Sequence, residues 1–392
     1  MKKLSTTILL CVVALSLSAQ REVEAVLREV EENSLTLRAL RAQAEAQKLG
    51  SQTGLYPANP EVEYSYLWGS PSPIGNRTDV SVRQTFDFPT AYAHRRRIAG
   101  LESVGAELAY RAERMALLLE AEQACIMLIY YNALAQECAA RLRSAMQLAE
   151  MYSARLARGD ANAMESNKAQ LNLAAAQREA DRIAAEQNAI RLELKQLNGG
   201  KDVALVGSEI PKTPLPDSFE EWYAQAESAN PHLQRLSGQL DVSRRQVKLN
   251  AALGLPKLSA GYASEKVGGE HFQGVSAGIS IPLWENKNRV RQAKAQVVAS
   301  EATLSNAKVQ LYGKLQRLYL RAAALRQSAE AYRNALAAGN SEPLLKKALA
   351  AGEISLLTYL QEMDYYYYAV SSALEAEKDA ALAAAELLAA ER

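Results

Sequence analysis

The chain has 392 residues, with 45 basic and 44 acidic side chains and a formal net charge of +1. Lys and Arg are scattered among Asp and Glu, which argues against a nucleic-acid binder, since that would show a basic stripe. Three cysteines and three widely separated histidines (His94, His232, His271) disfavour a disulfide scaffold, a CxxC knuckle and a His-based zinc or catalytic centre. There is no convergent Ser/His/Asp or Cys/His set either, so an enzyme, a resident metal and a cofactor are not expected.

Residues 1–19 read as a secretory signal peptide. Lys2 and Lys3 form the basic start, Ile8 to Leu17 the apolar run, and Ser18-Ala19 the small residues before Gln20. Cys11 follows Leu9-Leu10 without the small residue that a lipoprotein signal needs, so no lipid anchor is expected. No later stretch reaches ~18 consecutive apolar residues, so no transmembrane helix is expected after it.

Proline placement outlines the next elements. Between Pro89 and Pro211 lie 121 residues without proline, and between Pro282 and Pro343 lie 60. Proline breaks helix interiors, and these gaps are filled with strong helix formers. Apolar residues recur every seven at Ala169, Ala176, Ile183, Ile190 and Leu197, and again at Ala369, Ala376, Ala383 and Ala390. Heptads of small residues imply closely packed helices. Taken alone, these segments read as an ordinary helical bundle. Cys125 and Cys138 lie 13 residues apart in one such helix, roughly 20 Å, too far for a disulfide.

Between the helices the period changes to two. Val62, Tyr64, Tyr66 and Trp68 alternate with Glu61, Glu63 and Ser65, and Val80, Val82, Phe86 and Phe88 oppose Asp79, Ser81, Arg83 and Asp87. The same pattern recurs later in the chain. The strands predicted are about 61–68, 79–88, 257–263 and 274–281, paired into two hairpins through Gly69–Asn76 and Glu265–Glu270.

One offset of 193 residues separates Pro89 from Pro282, Arg96 from Arg289 and Gly159 from Gly352. The chain therefore reads as a duplication: a first repeat over 20–197, a connector over 198–229 and a second repeat over 230–392. Each repeat runs helix, hairpin, long helix, glycine break, helix. The fold class expected is mainly α with a small β part.

Two lengths constrain the assembly. The strands approach the ~9–11 residues that a tilted strand needs to cross a bilayer. Four strands cannot close a barrel, and an open sheet edge is not tolerated in lipid. Three chains would supply twelve strands. The 69 residues from Thr90 to Arg158, if one helix, extend ~100 Å at 1.5 Å per residue, too long for a globule of this size.

At Asn59-Pro60-Glu61, Val80–Pro89, Arg95-Arg96-Arg97, Leu255-Pro256-Lys257, Gly274–Pro282 and Asn288-Arg289, the duplicated order resembles the TolC-like outer-membrane efflux proteins. The resemblance covers nearly the whole exported chain. It implies a homotrimer whose twelve-stranded barrel in outer-membrane lipid continues into an α-helical tunnel in the periplasm. Such a trimer would be the passive exit duct for an inner-membrane pump and a periplasmic adaptor protein. The stretch Gln84 to Pro89 with Tyr92 looks most like members paired with heavy-metal-type resistance-nodulation-division pumps. The short connector implies a reduced equatorial domain.

The resemblance also implies site residues. Adaptor-contacting tips fall at Arg155, Arg158, Gly159 and Asp160, and at Lys347, Gly352 and Glu353. An entrance constriction falls at Glu165 and Thr358, with Gln361 and Glu362 one turn beyond Thr358. Thr358 departs from the family's acidic residue there, which makes Glu362 the better candidate. Tyr64, Tyr66, Trp68, Phe86, Phe88 and Trp284 suit interfacial aromatic girdles. The run Tyr365 to Tyr368 covers all sides of a helix, so some of its rings pack and others face water or lumen. Two further readings are an outer-membrane channel for type I protein secretion and a soluble periplasmic coiled-coil scaffold.

Overall fold

The computed structural model describes residues 19–338 and 342–391. The expected signal peptide, Cys11 included, lies outside them except for Ala19, which is helical and buried. The helices are α1 (19–33), α2 (Leu35–Ser51), α3 (Pro89–Arg158), α4 (Ala163–Leu197), α5 (Phe219–Ala229), α6 (Pro231–Ala252), α7 (Arg289–Ala338), α8 (Glu342–Ala351) and α9 (Leu356–Leu388). The strands are β1 (Glu61–Leu67), β2 (Arg77–Phe86), β3 (Lys257–Val267) and β4 (Glu270–Ser280). No described helix is long and apolar enough to cross a membrane.

Two compact units emerge, each drawing on both halves of the sequence. One holds residues up to Ala39, Glu113–Ala229 and those from Leu311 onward; the other holds Leu40–Ala112 and Asn230–Gln310. The second unit contains one antiparallel sheet in the order β1-β2-β3-β4. Its register aligns Tyr64 with Val80, Val82 with Tyr262, Tyr262 with Val275, and Leu258 with Ile279. Because successive side chains alternate, this register collects most of the apolar residues of the four strands on one face, while Leu67, Val267 and Phe272 fall on the other. The apolar face is open, with Val275 92%, Tyr64 66% and Ile279 62% exposed. The opposite face collects Glu63, Arg77, Asp79, Ser81, Glu265 and Ser276. Among the described residues neither β1 nor β4 has a neighbour on its outer edge.

The strands differ from expectation at their ends. β4 begins at Glu270, not near 274, because Gly268-Gly269 alone make the turn. Both glycines have positive φ (54° and 97°), and Val267 pairs with Glu270, the geometry of a two-residue primed turn. β2 stops at Phe86, since Pro89 starts α3 at the position where its missing N–H costs nothing. The Phe88 carbonyl then accepts from the Ala91 amide at 2.8 Å. Asp87 secures this corner: its amide donates to the Tyr92 hydroxyl (2.9 Å), and its carboxylate accepts from Arg95 (2.6 Å).

In the first unit most of the heptad residues are inside, with Leu197, Ala369 and Ala376 only half-buried. Ala169, Ala176, Ile183 and Ile190 of α4 are buried, as are Leu128 and Ile129 of α3 and Ala383 and Leu387 of α9. α5 is seated by Trp222, Tyr223 and Phe219 against Leu315, Tyr312 and Tyr319 of α7. α3 runs unbroken for 70 residues, ~105 Å at 1.5 Å per residue. Cys125 and Cys138 are buried free thiols, and burial pushes the Cys125 thiol up to about 12.

Replacing Gly269 with Val should cost the hairpin about 1–2 kcal/mol, the penalty of a left-handed residue. Amide exchange should rise at Val267 and Glu270 and stay unchanged at the β1–β2 pairs. Equal protection in both proteins would show that the turn does not hold the register.

Candidate functional site

Two helix ends in the first unit are built alike. α3 ends at Gly159 (φ 79°), whose amide donates to the Leu156 carbonyl (3.0 Å), while the Asp160 amide donates to Arg155 (2.9 Å). α8 ends at Gly352 (φ 75°), with Gly352 donating to Leu349 (3.2 Å) and Glu353 to Ala348 (2.9 Å). Each is a Schellman turn, which satisfies the last helical carbonyls only if one residue turns left-handed. A Cβ at either glycine would meet nothing within 4 Å. Backbone conformation, not lack of space, therefore demands glycine.

Both tips are mounted on one core. Leu148, Ala149 and Tyr152 of α3, Ala169 of α4 and Leu356, Tyr359 and Met363 of α9 are buried together, with Leu345 and Leu349 of α8 packed against them. Charged residues surround this core. Arg158 faces Asp160 at 3.5 Å, Arg155 lies over the Tyr152 ring, and Lys347 and Glu353 are exposed.

Glu165 and Thr358, expected at a constriction, have local duties. Asn162 caps α4 by accepting from the Glu165 amide (2.9 Å), and the Glu165 carboxylate accepts from the Asn162 amide (3.1 Å). This is a capping box. Ser355 caps α9 by accepting from the Thr358 amide (3.1 Å), and its hydroxyl also meets that of Thr358 (2.9 Å). The position six residues past each glycine is thus the third residue of the next helix. A serine cap works without a carboxylate, which accounts for Thr358.

Gln361 and Glu362 lie one turn further and are exposed. Tyr365 and Tyr368 follow at helical spacing, 74% and 72% exposed, so Gln361, Glu362, Tyr365 and Tyr368 form one open stripe on α9. Tyr366 and Tyr367 turn inward against the tip core, and burial pushes the Tyr367 hydroxyl up. The tyrosine run is divided between packing and exposure, as four consecutive helical positions must be. Sequence reasoning missed Arg141. From α3 it reaches Asp364 of α9 (3.1 Å) and lies 4.8 Å over the Tyr367 ring. Nothing local marks a contact between residues 223 positions apart.

Of the residues expected in aromatic girdles, Tyr64 sits in the middle of β1 and the others lie toward the two ends of the sheet. Tyr66 closes β1 with Trp68 edge-on at 5.5 Å, while Phe86, Phe88 and Trp284 lie at the end where the helices begin. Trp68 and Trp284 fall beyond the strands and are exposed. On the polar face the Arg77 Nε reaches both Asp79 (2.9 Å) and Glu265 (3.2 Å), and Ser65 donates to Asp79 (3.3 Å). This charge network crosses three strands and was not visible in the sequence. His271 meets the Ser264 hydroxyl at 2.8 Å. Among the described residues no group of three or more His, Cys, Asp or Glu is placed to hold a metal ion.

No protein-family profile matches the chain. A curated protein of Pseudomonas aeruginosa, the alkaline protease secretion protein AprF, is 24% identical over 313 residues, 75% of this chain. The chain spans 64% of that relative's length. Among solved structures, CusC superposes with a TM-score of 0.78 at 16% identity, covering 95% of this chain and 92% of that one. The CmeC outer-membrane channel of Campylobacter jejuni gives 0.74 at 15% identity, over 94% and 85%. The outer-membrane protein VceC of Vibrio cholerae gives 0.74 at 14% identity, over 95% and 96%. The chain therefore has the fold of the TolC-like outer-membrane channels, mainly helical with one small antiparallel sheet.

Replacing Gly352 with Val should cost about 1–2 kcal/mol through the forced left-handed residue and raise amide exchange in the last turn of α8. An exchange pattern identical to wild type would mean that the turn is not under conformational constraint.

Proposed function

We propose that the chain is the outer-membrane exit duct of a tripartite efflux system. It conducts substrates passively, outward from an inner-membrane pump and a periplasmic adaptor, and it is not an enzyme. Two duplicate repeats, over 20–197 and 230–392, contribute four strands per chain. Three copies pool twelve strands into a barrel and continue it as an α-helical tunnel in the periplasm. The observation that carries this reading is the sheet itself, with one exposed apolar face, one polar face and two unpaired edges. The eleven residues of β3 and of β4, at ~3.4 Å each and tilted ~45°, span about 26 Å, the height of the apolar band of outer-membrane barrels. In lipid the free edges must pair with another copy, because no water can satisfy them.

The tips around Gly159 and Gly352 are the adaptor contacts on this reading, with Arg155, Arg158, Asp160, Lys347 and Glu353 presenting charge. Glu362 is the constriction residue. Glu165 and Thr358 support it by fixing where α4 and α9 start. The Gln84 to Pro89 stretch favours a pump of the heavy-metal type. The likeness to a protease secretion protein favours a second reading, the channel of a type I protein secretion system. Loss of the chain would raise metal sensitivity on the first reading and abolish release of a secreted protein on the second.

Lys at Val275, mid-strand on the apolar face, should cost about 2–4 kcal/mol at a bilayer midplane and sharply reduce the amount of cross-linkable trimer in outer membranes. Lys at Ser276, one residue on but on the polar face, should leave it unchanged. Equal yields would remove the lipid-facing assignment, and a stable monomer in mild detergent would remove the trimer.

Glu362 lies ten residues past Gly352, ~15 Å along a helix. Three copies around an axis would repel unless protonated or bridged by a cation. Glu362→Ala should therefore raise resting conductance in planar bilayers and weaken divalent block, whereas Glu165→Gln, which keeps the capping box, should change neither. A Glu362→Ala channel identical to wild type would put this carboxylate on a solvated outer face.

A further inference from the structure

The seam between α3 and α6 in the second unit concentrates positive charge. The whole protein is nearly neutral at +1. Yet one cleft of about 330 Å³ is lined by Arg97 and Leu101 of α3 and by Asp241, Arg244, Arg245 and Lys248 of α6. Apolar packing of Ala91 and Ile98 against Leu249 and Ala252 holds the two helices together there, so the cleft is mounted on a fixed seam. Its charges are not balanced internally. Arg244 engages both nearby carboxylates, Asp241 at 3.6 Å and Glu301 at 2.9 Å. The neighbouring Arg95 is taken by Asp87. Arg97, Arg245 and Lys248 have no ion pair or side-chain hydrogen bond among the described residues. Three like charges converging on one hollow repel one another, and an anion seated among them would relieve that repulsion. Guanidinium forks and an ammonium suit phosphate oxygens in particular.

The position of the cleft points to where that phosphate comes from. Arg97 lies eight residues into α3 and Lys248 four residues from the end of α6, ~12 Å and ~6 Å along the helices from the ends that lead to the strands. The exposed apolar face ends near those helix ends, headgroups occupy roughly the next 5–8 Å of a bilayer, and long Arg and Lys side chains snorkel back toward that layer from the first turns of the helices beyond it. We propose that this cleft is a phosphate-binding site that takes the headgroup of an anionic phospholipid of the periplasmic leaflet. The phosphate chemistry stands on the cleft alone; the lipid source rests on the outer-membrane reading above.

The test uses the delipidated protein in a neutral detergent, titrated separately with short-chain phosphatidylglycerol, short-chain phosphatidylcholine and inorganic pyrophosphate. Phosphatidylglycerol should bind in preference to phosphatidylcholine. Combining Arg97→Gln, Arg245→Gln and Lys248→Gln should weaken it about 100-fold, at about fivefold per charge. Arg235→Gln, on the same helix 13 residues from Lys248, should have no effect. Indifference of every probe to the triple substitution, or equal weakening by Arg235→Gln, overturns the site. Pyrophosphate binding that needs the three cations, without phosphatidylglycerol binding, overturns the lipid source and assigns the cleft to a soluble anion. Membrane fractionation of the same variants tests the outer-membrane reading independently, because a chain recovered as a soluble protein would sink that reading without touching the cleft.

Discussion

Backbone hydrogen bonding at the two free edges of one four-stranded sheet governs the reading of the whole molecule. β1 and β4 each present a row of amides and carbonyls with no neighbour, and the sheet's apolar face is open. In water such a surface is an aggregation template that proteins usually blunt or cover. In hydrocarbon it cannot exist open at all, since each unpaired backbone group costs several kcal/mol. Closure by further copies of the same chain answers both demands. The constraint demands further copies, and three chains in all is the number in the proposed assembly.

The helices answer a different demand, that of packing long rods side by side with little volume between them. Ala169 and Ala176 are fully buried, and Ala381, Ala383, Ala384 and Ala385 of α9 nearly so. Small residues let helix backbones approach closely, and the heptad spacing keeps one seam facing its neighbour over many turns. The same economy appears at the tips. Two Schellman turns and two capped starts satisfy the helix ends with local bonds, so the turns need no core beneath them. The one core they do have, around Tyr152 and Met363, joins all four helix ends.

The candidate site was only partly legible in the sequence, for physical reasons that differ from residue to residue. Gly159 and Gly352 were legible because a left-handed helix end nearly always selects glycine. Glu165 was legible as a position but not as a role, since a capping box and a constriction acid put the same residue type in the same place. The heptads and the strand alternation are periodic signals and survive reading from sequence. Arg141 with Asp364, and Arg77 with Asp79 and Glu265, are not periodic. They depend on which element lies beside which, and no spacing encodes that.

The sequence by itself determined the kinds of element and their order: helices in the long proline-free stretches, strands where the period falls to two, and helix ends at Gly159 and Gly352. Those features follow from local backbone sterics and side-chain alternation, which act within a few residues. Strand ends were read less well. The two-residue turn at Gly268-Gly269 was missed because the charged pair Glu265 and Lys266 interrupts the apolar alternation before Val267. Only the tertiary structure decided the register that gathers four apolar half-strands on one face. It alone set the division of four tyrosines between core and surface, and the three unpaired cations of the α3–α6 cleft. Each of these rests on contacts between residues far apart in the chain, whose energy exists only once the elements have packed.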